Sequence, residues 1–285
     1  MNSCKNSIIF DGTMDAPIWN TVPEHTGFSM IKSHGGAVQK EKTYFKILPC
    51  EDRVYVGVKC MESEGMEYAL QPKPHINPWG LDAVEVFLAP TGTSFEYYQF
   101  FVGLNGKTVA YYYSEGGNIQ PDPYAPQWER KIYIGENYWS TVLEIPLTAF
   151  YMTPNTNWSS TWKVNLARTR VQQLPEGKCA CEHSSWCEVD FGYLEPNNFR
   201  VMDGFPMRPV ANDVMISTAS ADLTEELEDG YRGTLQVNVT LTEGGEYQFT
   251  SDHAETVTVN LQTGTNEFTV PCFFSELGRP WVMLS

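Results

Sequence analysis

The chain has few positive charges for its length. Its 285 residues include 19 Lys and Arg against 35 Asp and Glu, which gives a net charge of −16 and a pI of about 4.7. Proteins that bind nucleic acid concentrate Lys and Arg in basic patches that neutralise phosphates. This acidic balance therefore argues against a nucleic-acid partner and favours neutral ligands or cations.

Long apolar runs are also missing. No stretch approaches the roughly 20 apolar residues that a membrane span requires. The first ten residues lack the basic segment and long apolar segment of a signal peptide. We therefore predict no membrane partner. The protein is either cytosolic or has lost a signal peptide, and the second alternative predicts an extracellular or periplasmic location.

The common catalytic motifs are absent as well. The sequence has no Gly-x-Ser-x-Gly elbow, no His-Glu-x-x-His pair and no phosphate-binding loop. Asp82 and Glu85 are the most suggestive carboxylates, but three positions along a strand span about 10 Å and reverse the side-chain face. A retaining glycosidase holds its two carboxylates about 5–5.5 Å apart. We therefore predict that the chain is not an enzyme.

Helical apolar spacing is scarce, whereas aromatic residues make up 13% of the chain, and both features favour strands. We predict an all-β protein, with an antiparallel β-sandwich over residues 1–205 and a smaller immunoglobulin-like β-sandwich over 206–285. A Pro-bearing linker separates the two. Alternating apolar and polar residues mark the later strands, at 235–241, 245–250, 256–261 and 266–270. Because the sequence stops within a strand-like run, we expect the second domain to continue in a longer polypeptide.

The seven cysteines cannot all pair within one chain. Four potential metal ligands lie close together, namely Cys179, Cys181, His183 and Cys187. They lack the paired C-x-x-C knuckles of structural zinc sites. A metal site and a loop with free or locally paired thiols therefore both stay open.

Two carboxylates flank a glycine turn near the start of the chain. Asp11 and Asp15 are weak candidates for a structural calcium site because carboxylate oxygens are hard ligands. The spacing of an EF-hand is missing. Capping of the turn is the preferred explanation of these residues.

A charged residue interrupts one predicted strand. An antiparallel meander is predicted for residues 81–89, 97–104 and 107–113. Glu85 lies within its first apolar strand, and an unpaired buried carboxylate is costly, so Glu85 faces water or has partners. Alternation places Val84 and Val86 in the core and Glu85 on the opposite face.

The predicted hairpin turns set which residues lie opposite one another. A two-residue turn at Asn105 and Gly106 would place Gln99 opposite Tyr112. A turn centred near Gly92 would place Glu85 opposite Gln99. The predicted polar row therefore comprises Glu85, Gln99 and Tyr112, and Asn165 joins its face if Val164 and Leu166 point inward.

A site for a neutral sugar needs flat aromatic surfaces against the C–H faces of the ring and planar polar groups for the hydroxyls. Trp79 and Trp186 are the candidate aromatic surfaces. Glu85, Gln99 and Asn165 offer polar groups, and Tyr112 can stack or form a hydrogen bond. Two alternatives apply to these residues: a Trp in a β protein is often part of the core, and a Glu on a sheet face is often only solvated.

The order of these motifs resembles family 9 carbohydrate-binding modules over residues 7–202. The matching residues are Phe10 to Gly12 with Asp15 and Trp19, the strand 54–58, Trp79 with 82–88, Trp139 with 144–146, 165–170, and Phe191 with Gly192. The resemblance implies a β-sandwich that holds a terminal glucose- or xylose-type unit between two Trp rings. Trp79 and Trp186 match those rings and Glu85 matches the Glu that bonds the hydroxyls. Gln99 stands where the family has a polar or basic residue, and the resemblance allows a structural calcium.

We therefore predict non-catalytic carbohydrate binding, to a mono- or oligosaccharide or to a polysaccharide end. The chain would be an accessory part of a glycoside hydrolase with a covalently linked catalytic domain. One alternative is a structural or adhesive two-domain spacer. Another is a haem-binding module of the DOMON type, for which the candidate ligands are Met61, Met66, His75 and His183.

Overall fold

A computed structural model describes residues 4, 8–34, 39–63, 65–67, 69–70, 82–114, 126–150, 158, 160–173, 179–206, 214–241, 243–275 and 282–284. The chain divides into two compact units, Met1–Arg208 and Pro209–Ser285. Strands dominate both units and pair antiparallel, so the prediction of an all-β protein is confirmed. In the described part of the chain, no helix has the length and apolar character to cross a membrane.

The first unit is built from short and medium strands. They are β1 (Ser29–Met30), β2 (Thr43–Pro49), β3 (Arg53–Met61), β4 (Ala83–Ala89), β5 (Tyr97–Gly103), β6 (Thr108–Tyr113), β7 (Glu129–Ile134), β8 (Tyr138–Pro146), β9 (Thr161–Gln173), β10 (Cys179–Ser185) and β11 (Arg200–Asp203). Short 3-10 helices cover Pro17–Thr21, Lys32–His34, Leu147–Phe150 and Pro196–Asn198. Strands β2 and β3 form one hairpin, and β7 and β8 form another.

The strands form two sheets that face each other. One has the order β1-β10-β9-β4-β5-β6, with β11 also paired to β9, and the other has the order β2-β3-β8-β7. Even-numbered residues of β4, such as Val84 and Val86, share one buried cluster with residues of β3, such as Val56. This is the arrangement that period-2 alternation predicts for a sandwich.

The core extends to the last described residues of the first unit. The ring of Phe205 stacks on the indole of Trp162 at a centroid distance of 4.4 Å and an interplanar angle of 9°. The Phe205 backbone N–H donates to the carbonyl of Ser160 at 3.0 Å. Phe205 is therefore packed as a core residue although it lies outside every strand.

A second apolar cluster covers the outer face of the four-stranded sheet. Trp19 is fully buried there, against Tyr55 and Val142. A disulfide between Cys4 and Cys50 ties the N-terminal segment to the residue that follows β2. The four-stranded sheet is therefore packed on both faces.

Charged residues fill one end of the space between the two sheets. Arg168 is fully buried, and its guanidinium contacts the carboxylates of Glu62 and Asp82. Arg170 donates to both oxygens of Glu62, at 2.8 Å from Nε and 2.9 Å from Nη2. Asp82 also accepts from the backbone N–H of Val171 at 2.8 Å. These ion pairs satisfy charges that would otherwise be costly to bury.

Two predictions about local structure are corrected. The Cys-rich segment is strand β10 rather than a loop, and it pairs with β9 along its whole length. The apolar–polar alternation that marks a strand is not visible in this part of the sequence, because the buried residues Glu182 and Ser184 are polar. The second correction concerns the β5–β6 turn, which shifts the predicted register by one residue, so that Tyr98 lies opposite Tyr112.

The second unit contains two three-stranded antiparallel sheets. Its strands are β12 (Val214–Leu227), β13 (Gly230–Leu241), β14 (Gly245–Ser251), β15 (Ala254–Leu261), β16 (Gly264–Phe274) and β17 (Val282–Leu284), ordered β12-β13-β16 and β15-β14-β17. Leu235, Val237 and Phe249 lie in its buried cluster. Strand β12 was not anticipated, because two register shifts interrupt its alternation.

Candidate functional site

The candidate site lies on the outer face of the seven-stranded sheet. This face carries the odd-numbered residues of β4, β5, β6 and β9, which alternate with residues of the core. Glu85 lies between two direct cross-strand neighbours, Phe101 on β5 and Ala167 on β9. Gln99 occupies the diagonal position beside Phe101. The predicted placement of Glu85 and Gln99 on one face is therefore confirmed, although they are not directly opposite.

Three side chains form a hydrogen-bonded series on this face. The Nε2 of Gln99 donates to Oε2 of Glu85 at 2.5 Å. The hydroxyl of Tyr113 donates to Oε1 of Gln99 at 2.5 Å. Because Tyr113 fixes one end of the amide, the other end can only offer its N–H to Glu85. We call Glu85, Gln99 and Tyr113 the carboxylate series.

Glu85 is held in a poorly hydrated environment. Burial raises the pKa of Glu85 to about 7, and the hydrogen bond from Gln99 opposes the shift without cancelling it. The described residues supply no hydrogen-bond partner to Oε1 of this carboxyl. Glu85 therefore changes protonation near neutral pH and keeps one oxygen available to a ligand.

A tyrosine from the segment after β10 lies against the same face. The hydroxyl of Tyr193 donates to the backbone carbonyl of Arg168 at 2.9 Å and lies 3.3 Å from Nδ1 of His183. Thr169 Oγ1 is 3.4 Å from the same hydroxyl. Burial, and next the charge of Glu85, raise the pKa of Tyr193 well above its usual value. Tyr193 therefore lies near enough to Glu85 for the charge of Glu85 to affect its pKa.

Two predicted site residues belong to the core instead. Trp186 is 6% exposed, and its ring contacts His25 and Phe45 edge-on, with centroids at 5.3 and 5.0 Å. A ring enclosed in this way offers no face to a sugar. Tyr112 is 3% exposed and lies in the core cluster, because the register shift turns it away from Gln99.

Asn165 is on the expected face, but it is fully buried. Its Oδ1 accepts from Oγ of Ser185 and from the backbone N–H of Cys187, each at 3.0 Å. These contacts support the turn that follows β10. Asn165 therefore stabilises the local structure and is not accessible to a ligand.

The remaining aromatic candidate, Trp79, lies outside the described residues. Its contribution stays a prediction. Asp82, the other acid of that region, is fully buried and paired with Arg168, away from Glu85. The two carboxylates do not form a pair, as the alternation of side chains predicts.

The metal and haem candidates gain no support from the structure. Oδ1 of Asp11 accepts from the backbone N–H and the hydroxyl of Thr13, each at 2.8 Å, which is the geometry of a capped turn. Asp15 is exposed nearby. Among the residues that the structure describes, no group of three or more His, Cys, Asp and Glu side chains is arranged to hold a metal ion.

Two cysteines of the Cys-rich segment have described side chains. Cys181 is partly exposed and Cys187 is buried, and neither forms a disulfide. The side chain of Cys179 lies outside the described set. Burial raises the pKa of the Cys187 thiol to about 11, so this thiol is protonated and a poor metal ligand at neutral pH.

The haem ligand candidates are dispersed. Met66 lies in the core cluster, whereas His183 lies on the outer face of the seven-stranded sheet, against Tyr193. Met61 ends β3 in the other sheet. His75 lies outside the described residues. Met66 and His183 are thus separated by the sheet itself.

Two residues of the site were missed in the sequence, Tyr113 and Tyr193. Tyr113 would have been found with the correct register, because it shares the face of Gln99. The sequence signal for that register is the glycine at position 106. A glycine there also suits a turn longer than two residues that contains a bulge, and its φ in the structure is 84°. Tyr193 lies in an irregular segment, where alternation gives no direction.

Solved structures similar to this chain were found in a comparison of folds. One is a family 9 carbohydrate-binding module from Caldicellulosiruptor kristjanssonii in complex with cellotriose, with 14% identity, a TM-score of 0.48, and coverage of 72% of this chain and 93% of the module. Another is a family 9 module from the same organism in complex with glucose, with 14% identity, a TM-score of 0.49, and coverage of 72% and 95%. No family model matches the sequence, and no curated protein gives a significant match. Both of these structures are family 9 carbohydrate-binding modules.

Proposed function

We propose that this chain binds carbohydrate without catalysing its cleavage, through the outer face of the seven-stranded sheet. The observation that carries the proposal is the carboxylate series, in which Tyr113 orients Gln99 and Gln99 orients Glu85. Planar groups held in fixed orientation are what a sugar hydroxyl requires. The motif resemblance, which assigns Glu85 to hydroxyl recognition, supports the same face.

The chemistry of the series suits a neutral ligand. Oε1 of Glu85 can accept a hydrogen bond from a sugar hydroxyl, and the protonated form that is present near pH 7 can also donate one. The whole chain carries a net charge of −16, which disfavours anionic sugars. Trp79, six positions before Glu85, is proposed as the aromatic surface against the sugar ring.

The proposal of a non-catalytic role rests on the surroundings of Glu85. Its nearest acidic residue in the sequence, Asp82, is committed to Arg168 and to the backbone of Val171. A glycosidase needs a second carboxyl group on the opposite side of the same bond. Any cleavage would belong to a covalently linked catalytic domain, and we propose that this chain is the accessory part of such a glycoside hydrolase.

The proposed location is extracellular or periplasmic. The disulfide between Cys4 and Cys50 supports this proposal, because disulfides persist in oxidising compartments and are rare in the cytosol. We further propose that the second unit is an immunoglobulin-like spacer, on the basis of its two small antiparallel sheets.

Isothermal titration calorimetry tests the proposal. Glucose, xylose, galactose, cellotriose and short xylan oligomers are titrated into the wild type and into the Glu85→Ala and Trp79→Ala variants. Loss of the charge-assisted hydrogen bond is expected to weaken binding about tenfold or more in Glu85→Ala. Glu129→Ala, on the exposed strand β7, is the control and is expected to bind like the wild type. The absence of wild-type binding across a broad glycan array would overturn the proposal.

A further inference from the structure

Phe191 is the most exposed of the large apolar side chains that the structure describes, with 84% of its surface accessible. A single exposed apolar residue is ordinary in a soluble protein. What distinguishes Phe191 is the construction of its loop and the attachment of that loop to the face that carries Glu85.

The loop is held by one carboxylate. Glu195 accepts hydrogen bonds from three consecutive backbone N–H groups, those of Asp190 at 2.9 Å, Phe191 at 2.7 Å and Gly192 at 3.2 Å. Asn198 also donates to Glu195 at 2.9 Å. The backbone that carries the Phe191 ring is therefore ordered before any ligand arrives, which reduces the entropic cost of binding.

The same loop is attached at both sides of the ring. Before it, the carbonyl of Asp190 accepts from the N–H of Ser33 at 2.9 Å, next to the outermost strand β1. After it, Tyr193 reaches the carbonyl of Arg168 on β9 and borders the environment of Glu85. Phe191 therefore lies at the β1–β10 side of the face that carries Glu85.

The order of the strands separates β10, which precedes the Phe191 loop, from the strand of Glu85. In the sheet order, β10 lies two strands away from β4, which carries Glu85. Because neighbouring strands are about 4.8 Å apart, the separation is about 10 Å at β10 and larger towards β1. The backbone of β10 is therefore farther from β4 than the width of one pyranose ring, which leaves room for a further sugar unit on this side of Glu85.

We propose that Phe191 is an aromatic platform for the outer sugar units of a neutral oligosaccharide whose first unit binds at Glu85. The inference rests on the proposed function and adds a second contact region to it. The ring of Phe191 stacks on the apolar C–H face of a pyranose. It replaces Trp186 as the second aromatic surface, because Trp186 is enclosed in the core.

The charges around Phe191 favour a neutral chain. Glu188 and Asp190 shortly precede Phe191 in the sequence, and their side chains are 75% and 51% exposed. Lys32 contacts both of them, at 3.8 and 2.9 Å, and adds only one positive charge. A glycan with carboxylates would meet repulsion here, so a neutral glycan is the expected ligand class.

Calorimetry with glucose and cellotriose on the full chain tests the inference. Wild type is expected to bind cellotriose more tightly than glucose, by about 3- to 10-fold, the size of one aromatic stacking contact. Phe191→Ala and Phe191→Leu are expected to lower the cellotriose affinity to that of glucose and to leave glucose binding unchanged. Phe191→Trp is expected to keep the preference for cellotriose. Tyr133→Ala, an exposed aromatic residue on the other sheet, is the matched control and should behave like the wild type.

The outcomes separate this inference from the proposed function. If wild type binds both sugars and Phe191→Ala keeps the preference for cellotriose, the platform is elsewhere and only this inference is overturned. Equal loss of glucose and cellotriose binding in Phe191→Ala would also overturn it, because Phe191 would then act at the first unit. Absence of binding by the wild type to any neutral glycan would overturn both proposals.

Discussion

Gln99 holds the carboxyl group of Glu85 from a diagonal position on the neighbouring strand. The residue directly opposite Glu85 is Phe101, and the residue directly opposite Gln99 is Phe87. The contact is therefore made along the face rather than straight across the two strands. Gln99 is 7% exposed, so its orientation is set by Tyr113 and Glu85 rather than by water.

Removing the hydroxyl of Tyr113 is expected to loosen this arrangement. In Tyr113→Phe, the Oε1 of the nearly buried Gln99 loses its donor, and an unsatisfied buried acceptor costs about 1–3 kcal/mol. We expect a lower free energy of unfolding and, because the Gln99 amide is no longer fixed, weaker sugar binding. Chemical denaturation and calorimetry measure the two effects.

Tyr97 provides the matched control. Its ring stacks on that of Tyr113 at 4.6 Å and 10°, but its buried hydroxyl has no hydrogen-bond partner among the described residues. Tyr97→Phe should therefore be neutral or stabilising, by up to about 2 kcal/mol. If both variants lost the same stability, the hydroxyl of Tyr113 would have no special part in the series.

The protonation of Glu85 predicts a pH dependence of stability. The folded-state pKa of about 7 lies above the ordinary value of 4.5, so the folded protein takes up this proton more readily than the unfolded chain. The contribution of Glu85 is fully present below pH 4.5 and is lost as the pH rises through 7. The size of the effect is about 3 kcal/mol.

Glu85→Gln isolates this contribution. The variant keeps the shape of the side chain and an acceptor for Gln99, but it does not ionise. We expect the variant and the wild type to have similar free energies of unfolding at pH 4.5 and the variant to be the more stable at pH 8. A constant difference between them over this pH range would show that Glu85 does not titrate with a raised pKa.

The buried ion cluster predicts a large loss of stability. Glu62 is the common partner of Arg168 and Arg170. In Glu62→Ala, two buried guanidinium groups lose an acceptor, and breaking a buried pair in this way costs about 3–5 kcal/mol. Glu188→Ala removes an exposed contact to Lys32 and should cost less than about 1 kcal/mol. Urea denaturation of the two variants compares them, and equal losses would contradict the ion pairing at Glu62.

The disulfide predicts a further loss on reduction. Cys4 and Cys50 are separated by 46 positions, and closing a loop of that length stabilises the folded state by about 4 kcal/mol in the chain-entropy model. We expect Cys4→Ser to lower the free energy of unfolding by about 2–4 kcal/mol. Adding a reducing agent should then not lower the free energy of unfolding of the variant any further. A large effect of reductant on Cys4→Ser would show that another pair of cysteines is bonded.

Local alternation allowed the sandwich and one face of the site to be predicted. Val84, Val86 and Glu85 took the sides that a period of two requires. The register failed because the turn between β5 and β6 is longer than the two residues expected: the N–H of Gly103 bonds to the carbonyl of Lys107. One residue of shift reverses every side chain beyond the turn, and it exchanged Tyr113 for Tyr112.

The remaining differences come from tertiary contacts that the sequence does not display. Trp186 is of a residue type that often stacks on sugars, but the segments that carry His25 and Phe45 enclose its ring. Asn165 is polar and on the correct face, yet it is used by the backbone of Cys187. Tyr193 reaches the face from an irregular segment held by Glu195. None of these environments follows from local periodicity.

The stacking of Phe205 on Trp162 determines where the first unit can be truncated for separate expression. A gene truncated before codon 205 would remove a ring that is 1% exposed and uncover the indole of Trp162. Deleting a buried Phe ring costs about 3–5 kcal/mol and leaves an apolar opening at the surface. A soluble recombinant version of this unit should therefore retain Phe205, and a stop placed a few residues earlier would favour aggregation.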